Sequence, residues 1–315
     1  MDPTLLAANR IEQTFLGLPA SGEAVGGSVS IVGAVHGTAY GDSGQDLDAL
    51  GGPDAVRRAI TAASIHVDHW DFDFDGPLLN GGALTAYDLG NLRTVPGANA
   101  ENRRVIEAAT RDIRACGSIP VLIGGDDSVA IPFMRAFDDA EALHILQIDA
   151  HIDWRDKIGD EALGYSSTMR RASELPFVRS MTQVGIRAVG SARHEEVEAA
   201  RVWGSRLVTV RQARAKGLAE IARAIPHDGE ILIHVDCDAL DPSICPGVNA
   251  LSPGGLYLDE VTDLAAAALQ GRRLAGFSIV EFNPARDIND MTATVVGRLV
   301  CHVLGNLARR SDRQT

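Results

Sequence analysis

Residues 143–148 read LHILQI and lead without a break into Asp149, Ala150, His151, Ile152 and Asp153. A short apolar run ending on clustered acids is the pattern of a strand buried on both faces of a parallel sheet. The pattern recurs. Ile231 to Val235 precede Asp236, Cys237 and Asp238, and Val121 to Ile123 precede Gly124, Gly125, Asp126 and Asp127. In open α/β sheets ligands bind beyond the carboxyl ends of the strands, and all three clusters fall there. Aspartate is also common after strands for turn reasons. That accounts for one cluster but not for three at the same end.

Outward from these motifs, strands are expected at Val29 to Val35, Ser64 to Val67, Ile119 to Ile123, Met181 to Ile186, Leu207 to Val210 and Leu274 to Val280. Helical periodicity covers Pro53 to Ala62, Asn102 to Cys116, Ala192 to Val202, Val210 to Ala224, Leu258 to Leu269 and Asp290 to Ala308. Alternating strands and helices predict a mostly parallel sheet with helices on both faces. No repeat or linker-like stretch interrupts them. One domain over residues 28–315 is expected, preceded by an arm of residues 1–27 packed on the body or on a neighbouring subunit.

The chain has 315 residues, 45% of them hydrophobic, enough for a full core. A net charge of −13 argues against nucleic acid and favours cationic ligands and metal ions. The start carries no basic and apolar leader pattern, and no apolar run looks long enough to cross a bilayer. Cys116, Cys237, Cys245 and Cys301 are scattered, as in a reducing compartment, and read as core residues. A cytoplasmic location is expected.

If the chain stays extended after each strand, residues i and i+2 face one way. Asp149, His151 and Asp153 then share a side, as do Asp236 and Asp238. About six carboxylates and one imidazole in one cleft require cations to neutralise them. Asp149 and Asp236 could each bridge two ions. Two ions held about 3.5–4 Å apart share a water and lower its pKa toward neutrality.

These motifs resemble the ureohydrolase (arginase/agmatinase) family, over roughly residues 30–308. The resemblance rests on Gly124 to Ser128, Asp149 to Asp153, Asp236 to Pro242 and Glu281 to Pro284. It implies a three-layer α/β/α fold on a mostly parallel eight-stranded sheet, trimers or hexamers, and two divalent ions, manganese first and nickel as the alternative. It also implies hydrolysis at a guanidinium carbon, releasing urea and an amine. Carried onto this chain, one ion falls to Asp127, Asp149, Asp153 and Asp236, and the other to Asp149, His151, Asp236 and Asp238. Glu281 would pair with the substrate guanidinium, a planar fork that suits a carboxylate.

Three departures bear on function. Relatives usually have His where this chain has Asp127; if Asp127 binds metal, one site becomes all-oxygen, suited to hard ions, and a less acidic bridging water or a loosely held or missing ion is expected. Residues 164–171, GYSSTMRR, contain no His where relatives carry one that helps protonate the leaving amine. Either water, Tyr165 or His36 substitutes, or the leaving group needs less help. Trp154 and Arg155 stand where arginases place an Asn for the amino-acid end of arginine, and residues 185–190, GIRAVG, lack the acid used for the α-amino group. An agmatinase-like enzyme is expected, not an arginase.

His36, Trp154, Arg155 and Ser167 are the candidate tail-binding residues beside Glu281. Trp154 could stack on a cationic or apolar tail. Arg155 could clamp a substrate carboxylate, or pair with Asp156 or Asp160. The alternatives are hydrolysis of another substituted guanidine, a guanidino acid or a biguanide, or a weakly active subunit beside a paralogue. The expected partner is a small cationic guanidino substrate, with neither nucleic acid nor membrane.

Overall fold

The structure is a computed structural model that describes residues 2–7, 13–38, 40, 51–61 and 65–310. Its sheet has eight strands: β1 (Val29–Gly33), β4 (Ala86–Asn91), β5 (Ile119–Ile123), β6 (Leu143–Ile148), β7 (Val178–Ile186), β8 (Arg206–Thr209), β9 (Glu230–Asp236) and β10 (Arg273–Val280). The order across the sheet is β4-β1-β5-β10-β9-β6-β7-β8, every pair parallel. A separate two-stranded ribbon pairs β2 (Trp70–Asp71) with β3 (Gly76–Pro77). The expected three-layer α/β/α architecture is the one observed.

Two apolar cores lie on the two faces of the sheet. One holds α1 (Gly52–Thr61), α8 (Leu258–Leu269) and α9 (Met291–Ala308). The other holds α2 (Asn99–Ala115) and α3 (Ala130–Arg135), with residues of α4 (Thr168–Ala172) and α5 (His194–Trp203). Among the described residues α9 alone is long and apolar enough to cross a bilayer, contrary to the expectation that no run would suffice. It is two-thirds buried and lies against α1 and α8, as a core helix does.

Several elements differ from expectation. Residues 65–67 are not strand, and the start of that segment, Ser64, lies outside the described residues, as does Ala62 at the end of its helix. The remaining edge strand is β4, whose Asp88 is fully buried and bonded to Arg57 at 2.8 and 2.9 Å. The helix expected over 210–224 is broken into α6 (Val210–Lys216) and α7 (Leu218–Arg223). The break is Gly217, whose φ of +91° a helix cannot accommodate. Cys116 is exposed, whereas the other three cysteines are buried. Within the described part of the arm, Phe15 and Leu18 enter the core.

β5 and β6 follow each other in the chain but are separated in the sheet by β10 and β9. Four adjacent strands therefore deliver their carboxyl ends to one crevice, and these are the four that end in the acidic motifs and Glu281.

Candidate metal centre

Each acidic motif leaves its strand through a turn closed by its own carboxylate. Asp126 accepts from Ser128 N at 3.0 Å, Asp149 from His151 N at 2.6 Å, and Asp236 from Asp238 N at 2.7 Å. The chain does not stay extended here, so the i, i+2 side chains are gathered by these turns and not by pleat. Turn formation and ligand display are thus two uses of the same residues. Asp153 and Glu281 adopt left-handed φ values of +48° and +64°. Such backbone costs of order 1 kcal/mol or more in a non-glycine residue and clusters at functional sites.

Ligand-type atoms of Asp149, His151 and Asp238 lie within 4.8 Å of one another, the one such group among the described residues. His151 Nδ1 stands 3.0 Å from Asp238 Oδ2 and 3.5 Å from Asp149 Oδ1. These two carboxylates raise the His151 imidazole to about 12. On the β5 side, Asp127 is buried with neither oxygen hydrogen-bonded. Asp153 is buried beside Asp149. The Asp127 backbone N–H donates to Glu281 Oε1 at 2.8 Å, and Glu281 N donates to Gly125 O. Of the six expected ligands the structure converges Asp149, His151 and Asp238; Asp127, Asp153, Asp236 and Glu281 stand on the neighbouring strand ends of the same sheet edge.

The electrostatics call for positive charge. Burial pushes Asp153, Asp236 and Glu281 well above the usual carboxylate range, and neighbouring carboxylates push them further. Asp127 and Asp238 are raised by the same causes, against the pull of His234 and His151. Burial alone would raise Asp149, but hydrogen bonds involving His151 and Asp153 outweigh it and lower it. A carboxylate cluster that resists its own ionisation, with orphaned oxygens and nearby imidazole nitrogens, fits divalent cations.

Sequence reasoning missed the layer beneath. Ser278 on β10, His234 on β9, Gln147 on β6 and Gln183 on β7 are register partners in adjacent strands, and all four are fully buried. Gln147 Nε2 donates to Asp149 Oδ2 at 2.6 Å and to Asp153 Oδ2 at 2.7 Å. Gln183 donates to Gln147 Oε1 and accepts from Trp154 Nε1 and Ser205 Oγ. The signal was legible as an offset. His234 and Gln147 each stand two residues before an acidic motif, on the same pleat face. Arg187, also missed, donates to Asp238 O, Leu240 O and Ser252 O, fixing the loop behind Asp238.

A cavity of about 400 Å³ opens from His151 and Asp153 toward Trp154, Arg155, Arg187 and Glu196. Its arginines are occupied. Arg155 Nε lies 2.7 Å from Glu196 Oε1 and its Nη2 donates to Ser191 O, so its partner is Glu196 and not Asp156 or Asp160. Trp154 is buried, with its N–H held by Gln183. Ser167 and Ser166 are buried at 3.3 and 3.0 Å from the Tyr40 hydroxyl, and Ser166 borders the cavity. His36 is not brought to the cavity lining. Its ring nitrogens lie against Asn102 and Thr38, and burial lowers it to about 4. Its carbonyl sits where a Cβ on Gly125 would clash, which requires glycine there.

The fold and motifs have counterparts. The family model described as the arginase family matches residues 28–305. The chain belongs to the arginase family. Guanidinopropionase of Pseudomonas aeruginosa is 31% identical over 72% of this chain and 72% of its own length. N(1)-aminopropylagmatine ureohydrolase of Thermus thermophilus is 34% identical over 67% of this chain and 70% of its own. The structure of proclavaminate amidino hydrolase from Streptomyces clavuligerus superposes with a TM-score of 0.84 at 24% identity, covering 94% of this chain and 97% of that one. This family member is a hydrolase acting on amidino C–N bonds, in a family of binuclear metal enzymes.

Proposed function

We propose that this enzyme hydrolyses the C–N bond of a small guanidino compound to urea and an amine, in the manner of an agmatinase and not of an arginase. The observation that supports the reading is the convergence of Asp149, His151 and Asp238, on adjacent strand ends that also carry Asp127, Asp153, Asp236 and Glu281, beside a cavity bordered by His151 and Asp153 whose arginines are already paired. One ion would be held by Asp127, Asp149, Asp153 and Asp236, the other by Asp149, His151, Asp236 and Asp238, with manganese preferred over nickel. When bound, such ions act as Lewis acids and lower the pKa of water. The protein supplies the rest. Glu281, held by the Asp127 N–H, presents a carboxylate to the guanidinium fork and fixes the carbon against the ions. Residues toward Trp154 and Glu196 receive the tail. With Arg155 tied to Glu196 and Arg187 to backbone carbonyls, neither arginine is left to clamp the carboxylate of a guanidino acid, and an amine or short neutral tail is the better fit.

The proposed assembly is a cytoplasmic homo-trimer or hexamer, or one that includes a paralogous subunit. The test is urea release by the purified chain over agmatine, guanidinobutyrate, arginine, guanidine and simple biguanides, with and without manganese or nickel. Metal-dependent release from agmatine or a short guanidine is expected, with arginine poor. Release from arginine above all others overturns the substrate assignment. No release from any of them favours the partner-subunit alternative.

A further inference from the structure

The sequence leaves the β5 side of the centre with aspartates alone, yet an imidazole reaches it from below. His234 rises from the middle of β9, is fully buried, and places Nε2 2.8 Å from Asp127 Oδ1. Despite that distance, neither Nε2 nor either oxygen of Asp127 makes a hydrogen bond. The other ring nitrogen, Nδ1, lies 2.8 Å from Ser278 Oγ, its cross-strand neighbour. In the tautomer whose Nδ1–H donates to that hydroxyl, the one a metal-bound imidazole requires, Nε2 keeps its lone pair and turns it on a carboxylate. Two lone pairs facing each other in a dry interior are repulsive unless a cation lies between or beside them.

We infer that His234 is a ligand of the second divalent ion, and that Asp127, Asp149, Asp153 and Asp236 complete its donor set. The inference rests on the reading of the site as a two-ion centre. Three features of the structure support it. An imidazole whose far nitrogen is fixed by a hydrogen bond is the usual arrangement of a metal-binding histidine, and Ser278 supplies that bond. The separation of His234 from Asp127 matches that of His151 Nδ1 from Asp238, 3.0 Å, in the group that already converges. Two donors each about 2.1 Å from one ion stand close to 3 Å apart at a right-angled arrangement. Finally, Gln147 sits beside His234 in the sheet and fixes the Asp149 and Asp153 carboxylates with its two amide hydrogens. The buried polar row is thus a support for this ion, built where a parallel sheet ordinarily carries aliphatic side chains.

A neutral nitrogen donor also changes the character of the site. Five carboxylates against two dications leave excess negative charge. An imidazole adds a bond without adding to that excess, and it moves the preference from the hardest ions toward manganese, nickel or cobalt.

The experiment counts ions and imidazoles on the full chain, independently of turnover. Metal-stripped protein is titrated with manganese by calorimetry and plasma mass spectrometry. Histidine-¹⁵N protein loaded with manganese is then examined by electron spin-echo spectroscopy. Two ions per chain and two coupled imidazoles are expected. His234→Ala should retain one ion and one coupled imidazole. Ser278→Ala should retain two ions, one of them bound about tenfold more weakly. A wild-type chain with a single coupled imidazole overturns the inference, and so does a His234→Ala chain that binds two ions with unchanged affinities. The spin-echo count on the wild-type protein decides the matter even if His234→Ala does not fold. Two ions and two imidazoles without urea release would sink the proposed substrate and leave this assignment standing.

Discussion

Stripping the metal should invert the ordinary effect of acid on this protein. In the metal-free chain, the folded pKa of Asp126 is raised from 3.8 to about 6, burial being the main cause and Asp127 an added one. Asp127, Asp153, Asp236, Asp238 and Glu281 are displaced in the same direction. A group whose folded pKa lies above its unfolded one binds more protons folded than unfolded. Its stabilisation is complete below the unfolded pKa and is lost as pH climbs through the folded value. For Asp126 the window runs from about pH 4 to about pH 6, and roughly two units correspond to about 3 kcal/mol. His151, raised to about 12, acts in the same direction at higher pH. Asp149, lowered, opposes them. At roughly 2 °C per kcal/mol for a chain this long, Asp126 alone should lower the apo melting temperature by about 5 °C between pH 4 and pH 7. Ions bound at a thousandfold excess over Kd add about 4 kcal/mol, and more at neutral pH, where ligands need not be deprotonated first. The assay is calorimetric melting of apo and manganese-loaded protein from pH 4 to pH 8. General self-repulsion of the acidic surface is common to both samples, so the gap between them is the diagnostic. A gap that stays constant with pH would refute the reasoning.

Other outcomes follow from single contacts. Gln147→Leu removes both hydrogens held by Asp149 and Asp153 and strands Gln183; metal affinity should fall 10- to 100-fold, read by titration. Glu281→Gln should leave metal content unchanged and lower kcat/KM by roughly 100-fold or more, because a charge-assisted pair with a guanidinium becomes a neutral one. Gly185→Ala places a Cβ 2.7 Å from Asp149 O at a φ of +114°; both melting temperature and metal affinity should drop, measured on the same preparation.

How much of this was legible in the sequence depended on whether the information was local. Buried strands such as β5 and β6, and the helix α8, announce themselves by unbroken apolarity or clean period, and their observed ends match the expected ones. β4 does not, because Asp88 and Asn91 break its apolar run. They are accommodated because Arg57 of α1 reaches both, a contact 31 and 34 residues away in sequence, with the Phe15 N–H completing Asp88 and Asp54 accepting from Asn91. The acidic motifs were readable because each is short, contiguous and placed at a strand end. His234 was hidden for the opposite reason. A histidine inside an apolar strand looks like a core residue until the sheet order places it between Ser278 and Gln147. Sheet order is set by long-range pairing, which a single sequence does not display. The pairing of Arg155 with Glu196 was hidden in the same way, since nearer acids stood at 156 and 160.

The strain at Asp153 gives the most discriminating further test, because a nearly isosteric change acts on backbone and charge together. Asparagine adopts the left-handed region more readily than aspartate, so Asp153→Asn relaxes the φ of +48°. Its carbonyl oxygen can still accept from Gln147, replacing the bond at 2.7 Å. The cost of keeping a carboxyl beside Asp149 and Asp127, borne either as a buried charge or as proton uptake on folding, disappears. Each unit by which the carboxyl had been raised corresponds to about 1.4 kcal/mol. The apo variant should therefore melt several degrees above apo wild type at pH 7. That advantage should shrink toward zero near pH 4, where the wild-type carboxyl is protonated and the two side chains carry the same charge. The loaded proteins should rank the other way, because the variant has lost an anionic ligand for the second ion. If apo Asp153→Asn melts below apo wild type at pH 7, then Asp153 is not held against its neighbours by a missing cation, and the crevice is a structural carboxylate network instead of a metal centre.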